Sequence, residues 1–223
     1  MKNIGKMDCF DIHSHLGEQQ ASACIMEKTL FSISPSELEN FEGPICSIGI
    51  HPWDIGESLQ QLAVLEKAAA SSRVKAIGEC GLDTVKSTAS LESQLDVFSR
   101  QVLISESVQK PMILHVVRQF DSIIRLKKQL KPSQEWLVHG FRGKAEQARQ
   151  LLGCRLHVSL GLHASEDAIC CLPDGEIFIE TDGKCSVAKV AEKVALVRND
   201  SVEHIASLSA RNASLFLGLS LQS

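Results

Sequence analysis

The sequence contains no tyrosine, which excludes phenolic chemistry. It has no apolar run approaching the roughly 20 residues that a membrane-spanning helix needs. Its first residues, MKNIGKMDCFDIHSH, carry no apolar segment of the kind that marks a secretory signal. These two absences predict a cytoplasmic protein without membrane attachment. CxxC pairs are also missing. The eight cysteines lie scattered at positions 9, 24, 46, 80, 154, 170, 171 and 185, which predicts free thiols in a reducing compartment rather than a disulfide framework. Nor is there an excess of positive charge. Lysine and arginine number 23 against 27 acidic residues, for a net charge of −4. A broad basic surface that grips nucleic acid by phosphate contacts alone is therefore not expected. A nucleic-acid substrate in a narrow cleft charged by metal ions stays compatible with this balance. No internal repeat, low-complexity tract or charged tail interrupts the chain.

What is present is an ordinary globular composition. Of 223 residues, 44% are hydrophobic and 22% charged. That length suits a single domain over residues 1–223, since α/β barrels run to about 200–250 residues. Short apolar runs alternate with helical patterns. Strands are predicted at Asp8–His13, Thr29–Ile33, Ile45–His51, Val74–Glu79, Pro111–Val116, Glu135–Gly140, Arg155–Leu160 and Glu176–Glu180. Several are continuous runs of Ile, Val, Leu and Phe, the pattern of parallel strands covered on both faces. Between them, Leu59, Leu62, Leu65 and Ala69 share one helical face, as do Leu91, Leu95, Phe98 and Val102. Further stripes run through Ile123, Ile124, Leu126 and Leu130, and through Ala145, Ala148, Leu151 and Leu152. Ser90 and Asp121 are the expected N-caps. Two helices, near Ser186–Arg198 and Ser201–Phe216, are expected after the last strand. Alternating strands and helices imply an α/β fold: a (β/α)8 TIM-type barrel with C-terminal helices. The first connection, residues 16–28, is short for a helix, so the barrel is expected to be distorted there.

The chemistry concentrates at predicted strand ends. His13 and His15 end the first strand, Glu79 the fourth, His115 the fifth and His139 the sixth; Asp182 follows the eighth. Parallel barrels carry their active sites at the C-terminal ends of the strands. Residues far apart in sequence therefore converge on one mouth. His13 and His15 are two apart, so strand alternation lets both face that mouth. Each residue alone reads as an ordinary polar group or cap. Six at matching strand ends point to a metal site. Imidazole and carboxylate donors suit divalent Zn, Mn or Mg ions. Six ligands exceed one tetrahedral site and suit two ions about 3.5–4 Å apart. His51 and Arg142 are candidate substrate-binding residues, the guanidinium being able to clamp a phosphate. Asp83 is a candidate hydrogen-bond partner for a ligand histidine, and Trp53 and Phe141 are candidates to stack on a base. His163 ends the seventh strand but stands outside the ligand set. His157 and His204 read as ordinary strand and helix residues.

The segments HSH, GIHPWD, IGECGLD, KPMILHVV, VHGFRG, SLG and ETD, in this order, resemble the TatD family of metal-dependent hydrolases, within the amidohydrolase-like barrels. The similarity runs from about Asp11 to Asp182, in a chain that looks like a short form. It implies a metal-dependent phosphodiesterase or nuclease, with DNA the usual substrate. By motif, the resemblance places His13 and His15 on a first metal, Glu79 between both, and His115 and His139 on a second. It places Asp182 on the first metal, near the attacking water, so that Glu79 and Asp182 are the implied catalytic residues. The chain departs from the family pattern at three places. Val117 stands where an arginine is common, with Arg118 one residue later; Gly183-Lys184 follow the ETD segment; and Leu16-Gly17 follow HSH. Two other classes stay open: a metal-dependent hydrolase of C–N or C–O bonds in amides, lactones or esters, and a non-catalytic barrel subunit of a complex.

Overall fold

The apolar runs become parallel strands, each paired with its neighbours in chain order. The structure, a computed structural model, describes residues 9–16, 28–56 and 58–220. The strands are β1 (Asp11–Ser14), β2 (Thr29–Ile33), β3 (Cys46–Ile48), β4 (Val74–Asp83), β5 (Met112–Val117), β6 (Trp136–Val138), β7 (Leu156–Leu160) and β8 (Phe178–Ile179). They close into a barrel, with β8 returning to β1 through Ile179 and Asp11. Helices α1 (Ser58–Ala69), α2 (Leu91–Val108), α3 (Phe120–Leu130), α4 (Ala145–Gly153), α5 (Glu166–Cys171), α6 (Val187–Arg198) and α7 (Val202–Leu217) follow the strands. Between β2 and β3 the helical element is a 3-10 segment, Pro35–Asn40. The expected distortion at residues 16–28 and the expected strand start at Asp8 fall largely outside the described residues. No helix of the described residues is long and apolar enough to cross a membrane.

Two apolar layers hold the barrel. Outward-facing Ile77, Met112, Leu114, Trp136 and Val138 pack against the helices through Phe98, Val102, Ile123 and others. Ile12, Leu30, Ala76, Ile113, Leu137 and Phe178 form a second cluster, closed by Ala213 and Leu217 of α7. Burying side chains of this size is worth about 1.5–3 kcal/mol each. Strand alternation then fixes the site. His115 lies two residues after Ile113 and His139 two after Leu137, so each faces the same way as its apolar predecessor, one layer higher.

Several boundaries differ from the sequence reading. β4 does not stop at Glu79 but runs to Asp83, pairing Gly81 with His115 and Asp83 with Val117 of β5. Glu79 therefore projects from within a strand. Glycine makes this close pairing possible. A Cβ at Gly78 would lie 2.3 Å from the Ile113 carbonyl oxygen, and one at Gly81 would lie 2.1 Å from that of His115. β3, β6 and β8 are shorter than expected because their ends leave the ladder for site loops. Ser90 caps α2, accepting the Ser93 N–H at 3.1 Å. Asp121 is not an N-cap. Gln119 holds that position, and Asp121 lies in the first turn of α3, where its charge suits the helix dipole. The short α5 had no periodic signal long enough to read.

Candidate metal centre

Glu79 is the hub. Its side chain is 8% exposed, and all the histidines expected at the site reach it. Oε1 lies 2.8 Å from His115 Nδ1, 2.7 Å from His139 Nε2 and 3.2 Å from His51 Nε2. Oε2 lies 3.4 Å from His13 Nε2 and 3.5 Å from His15 Nε2. Asp182 closes the other side, with Oδ1 3.3 Å from His15 Nε2 and 3.8 Å from His13 Nε2. The structure thus brings together His13, His15, Glu79, His115, His139 and Asp182. It also brings in His51, which the sequence reading assigned to substrate. Two sets of ligand atoms share Glu79: His13 with His15, and His51 with His115.

Tautomers separate these histidines. Asp83 is ionised: burial raises its carboxyl, but hydrogen bonds from Trp53, the Lys86 and Val85 amides and His115 hold it down to about 2. An ionised carboxylate only accepts, so His115 Nε2, 3.2 Å away, carries a hydrogen. Its Nδ1 then faces Glu79 Oε1 at 2.8 Å. Glu180 acts on His139 by charge alone, since His139 Nδ1 has no hydrogen-bond partner among the described residues. Burial raises its carboxyl, the His139 charge outweighs this, and its Oε1 lies 3.7 Å from His139 Nδ1. That leaves His139 Nε2 facing inward. His51 is reversed. Its Nδ1 accepts the Trp53 backbone N–H at 3.2 Å, so Nε2 carries the hydrogen toward Glu79. A donor N–H cannot ligate a cation, whereas a lone pair can.

The donor set fits divalent ions. Two lone-pair nitrogens aimed at an anionic oxygen repel it unless a proton or a cation lies between. In the metal-free protein a proton serves. Burial lowers His139, but the Glu79 and Glu180 charges outweigh this and raise it well above its ordinary value. Glu79 is correspondingly held far below the usual carboxylate range, its histidine partners outweighing the upward push of burial. His13 is fully enclosed, and neither ring nitrogen has a hydrogen bond. Burial lowers it, and the neighbouring His139 adds to this, so it is a neutral base with a free lone pair. His15 is half exposed and is raised to about 9 by its bonds to Asp182 and Glu79. Burial raises the Asp182 carboxyl, but His15 and Lys184 outweigh it and keep the group ionised.

A buried bracket positions the far rim. The Asp11 carboxylate accepts the Thr181 N–H at 3.0 Å and the Thr181 hydroxyl at 2.6 Å. Thr181 stands between Glu180 and Asp182, so this pair fixes both neighbours. Asp182 has φ 53, and its N–H donates to the His13 carbonyl at 3.1 Å. Ser159 donates to Glu180 at 2.5 Å. Asp11 and Glu180 were missed as supports in the sequence reading. The only signal was their place beside HSH and ETD.

The cluster forms the floor of a cleft of about 1260 Å³. Lys86, Arg118, Arg142 and Lys184 line its walls, all exposed. Lys184 pairs with Asp182. Arg142, expected at the substrate site, lines the cleft but pairs with no carboxylate among the described residues. Trp53 lines it as well, 43% exposed. Phe141 does not offer a stacking surface. It is 1% exposed and packs edge-on to Phe120 at 6.1 Å. His163 is exposed and outside the cluster. His157 pairs with Glu176 at 2.6 Å and His204 with Asp200 at 2.7 Å, both away from the cleft.

Comparison with known proteins identifies the family and the fold. The uncharacterized metal-dependent hydrolase YabD of Bacillus subtilis is 25% identical, over 92% of this chain and 96% of its own length. The 3'-5' ssDNA/RNA exonuclease TatD of Erwinia amylovora is 27% identical over 77% of each chain. The fold matches the crystal structure of the TatD homologue YjjV of Escherichia coli with a TM-score of 0.81, at 21% identity, covering 96% of this chain and all of that one. A TatD family hydrolase from Entamoeba histolytica matches with a TM-score of 0.74 at 16% identity, covering 95% and 98%. The sequence profile of the family described as TatD related DNase matches residues 18–218. The chain therefore belongs to the TatD family of metal-dependent hydrolases.

Proposed function

We propose that this chain is a cytoplasmic phosphodiesterase acting on DNA, with His13, His15, Glu79, His115, His139 and Asp182 holding two divalent ions. The observation that carries this reading is the pair of carboxylate-backed histidines. Asp83 takes a ring hydrogen of His115 and the Glu180 charge backs His139, so the inward nitrogen of each ring meets Glu79 and can present a lone pair to a cation that displaces the proton there. The exonuclease name of the Erwinia relative supports a nucleic-acid substrate. Free thiols at every cysteine among the described residues support a reducing compartment.

Bound divalent ions supply Lewis-acid polarisation of phosphoryl oxygens and make water a stronger acid. The side chains do the rest. Asp182, ionised and at the cleft floor, accepts the proton of the attacking water. Glu79, enclosed by histidines, orders them around one point. Arg142 and Arg118 have no ion-pair partner among the described residues and are placed to bind non-bridging phosphate oxygens. His51, with its Nε2 hydrogen directed at Glu79, holds that carboxylate rather than ligating.

The test uses chelator-stripped protein reloaded with Mn2+, Zn2+ or Mg2+. Substrates are end-labelled single-stranded DNA, bis(4-nitrophenyl) phosphate and a panel of esters and lactones. Metal-dependent cleavage of the DNA and the phosphodiester is expected. Turnover of esters or lactones alone would move the chain to C–O hydrolysis. Inactivity throughout, with tight capture of a partner protein, would make it a scaffold subunit.

A further inference from the structure

We propose that Trp53 is the stacking platform for one unpaired nucleobase of the substrate beside the catalytic cluster. The proposal rests on the phosphodiesterase reading above and adds a substrate-positioning residue to it.

The argument starts from how the indole is held. Trp53 is 43% exposed on the wall of the cleft, so its ring is not fixed by burial of its faces. It is fixed by one polar edge. Nε1–H donates at 2.7 Å to Asp83 Oδ2. Asp83 is itself buried and accepts the Val85 and Lys86 amides at 2.8 and 3.0 Å. The backbone of Trp53 is held too, its N–H donating to His51 Nδ1. A large flat ring is thus held by its edge with part of its surface open to the cleft. Such exposure costs the fold hydrophobic stabilisation, and a partner that covers the ring recovers it.

Position and charge say which partner. The indole centroid lies 4.5 Å from that of His51 and 5.4 Å from that of His115, both rings nearly perpendicular to it. A group on Trp53 is therefore within one nucleotide's reach of Glu79, which His51 touches. Lys86 Nζ lies 4.7 Å over the ring, so a ring face already accepts a cation. A base can take that place while the lysine turns to the flanking phosphate. Arg118 and Arg142 line the same cleft without an ion-pair partner among the described residues. An aromatic beside cations that follow a backbone is the general arrangement for single strands. A paired base inside a duplex has both faces covered by its neighbours and cannot use the platform.

One base on one aromatic is worth a factor of roughly ten to a hundred in affinity. Trp53→Ala should raise KM for single-stranded DNA, so that kcat/KM falls about tenfold relative to its value on bis(4-nitrophenyl) phosphate. Trp53→Phe keeps a ring but loses the bond to Asp83, and should hold that ratio within about threefold of wild type. Equal losses on both substrates in both variants would overturn the platform and make Trp53 a prop for Asp83 and His115. Fluorescence gives a readout independent of turnover, because the other tryptophan, Trp136, is fully buried. A phosphorothioate decathymidylate, which resists cleavage, should quench the emission of the Mn2+-loaded wild type. The quench should vanish in Trp53→Phe while a labelled oligonucleotide still binds. Quenching without cleavage of ordinary DNA would keep the platform and remove the phosphodiesterase reading. Cleavage without quenching would keep that reading and remove the platform.

Discussion

Glu180 is 2% exposed, and its Oε1 lies 3.7 Å from His139 Nδ1 while its Oε2 accepts the Ser159 hydroxyl. Glutamine at this position has the same shape and one fewer charge. Its amide oxygen still accepts from Ser159, which turns the NH2 toward His139. The negative charge 3.7 Å behind His139 Nδ1 is then gone, which leaves Nε2 a poorer donor to a cation. Loss of such an outer partner costs about 10–100-fold in metal affinity, or roughly 1.4–2.7 kcal/mol. Calorimetric titration of metal-free Glu180→Gln with Zn2+ or Mn2+ measures it, alongside thermal melts that check the fold. A variant that folds and binds metal as tightly as wild type would refute the role of the Glu180 charge, and with it the assignment of His139 as a ligand.

Three further outcomes are expected. Asp182→Asn should keep the fold but lose about 10²–10⁴ in kcat, the usual worth of a positioned proton acceptor; unchanged turnover on bis(4-nitrophenyl) phosphate would remove that role. Gly81→Ala sets a Cβ against the His115 carbonyl, so β4 and β5 must separate. A cost of about 3 kcal/mol, or roughly 6–12 °C in Tm, is expected, and a melt equal to wild type would contradict the close pairing. Lys127 lies on α3 with Nζ over the Trp136 ring, and burial lowers it to about 8, against the upward pull of Glu135. Between about pH 8 and 10.5 the unfolded chain holds a proton that the folded chain has released, so stability rises with pH across that window. Below it the buried charge costs up to about 3 kcal/mol. Lys127→Met should therefore raise Tm at pH 7 and lose that gain above about pH 10, as denaturation curves at both pH values will show.

The residues that meet around Glu79 were legible in the sequence for a simple reason. Strand alternation and the strand-end rule act locally, so HSH, ILHVV and LVHG each carried their own position. What lay between distant segments was not legible. Nothing near Glu79 in sequence says that β4 runs on to Asp83, because that depends on two glycines meeting the β5 backbone. The tautomer of His51 depends on the fold of its own loop, so the sequence could not separate it from the other histidines around Glu79. Phe141 and Trp53 looked alike as loop aromatics. One is buried against Phe120 and the other is held at the cleft by a buried aspartate. Asp121 failed as a cap because α3 begins a turn-position earlier than its apolar stripe.

The most direct measurement is metal content. Protein equilibrated with Mn2+ or Zn2+ and freed of excess should hold two ions per chain by elemental analysis, and Glu79→Ala should hold none. Fewer than one ion in the wild type, or two in Glu79→Ala, would contradict a centre organised around that carboxylate.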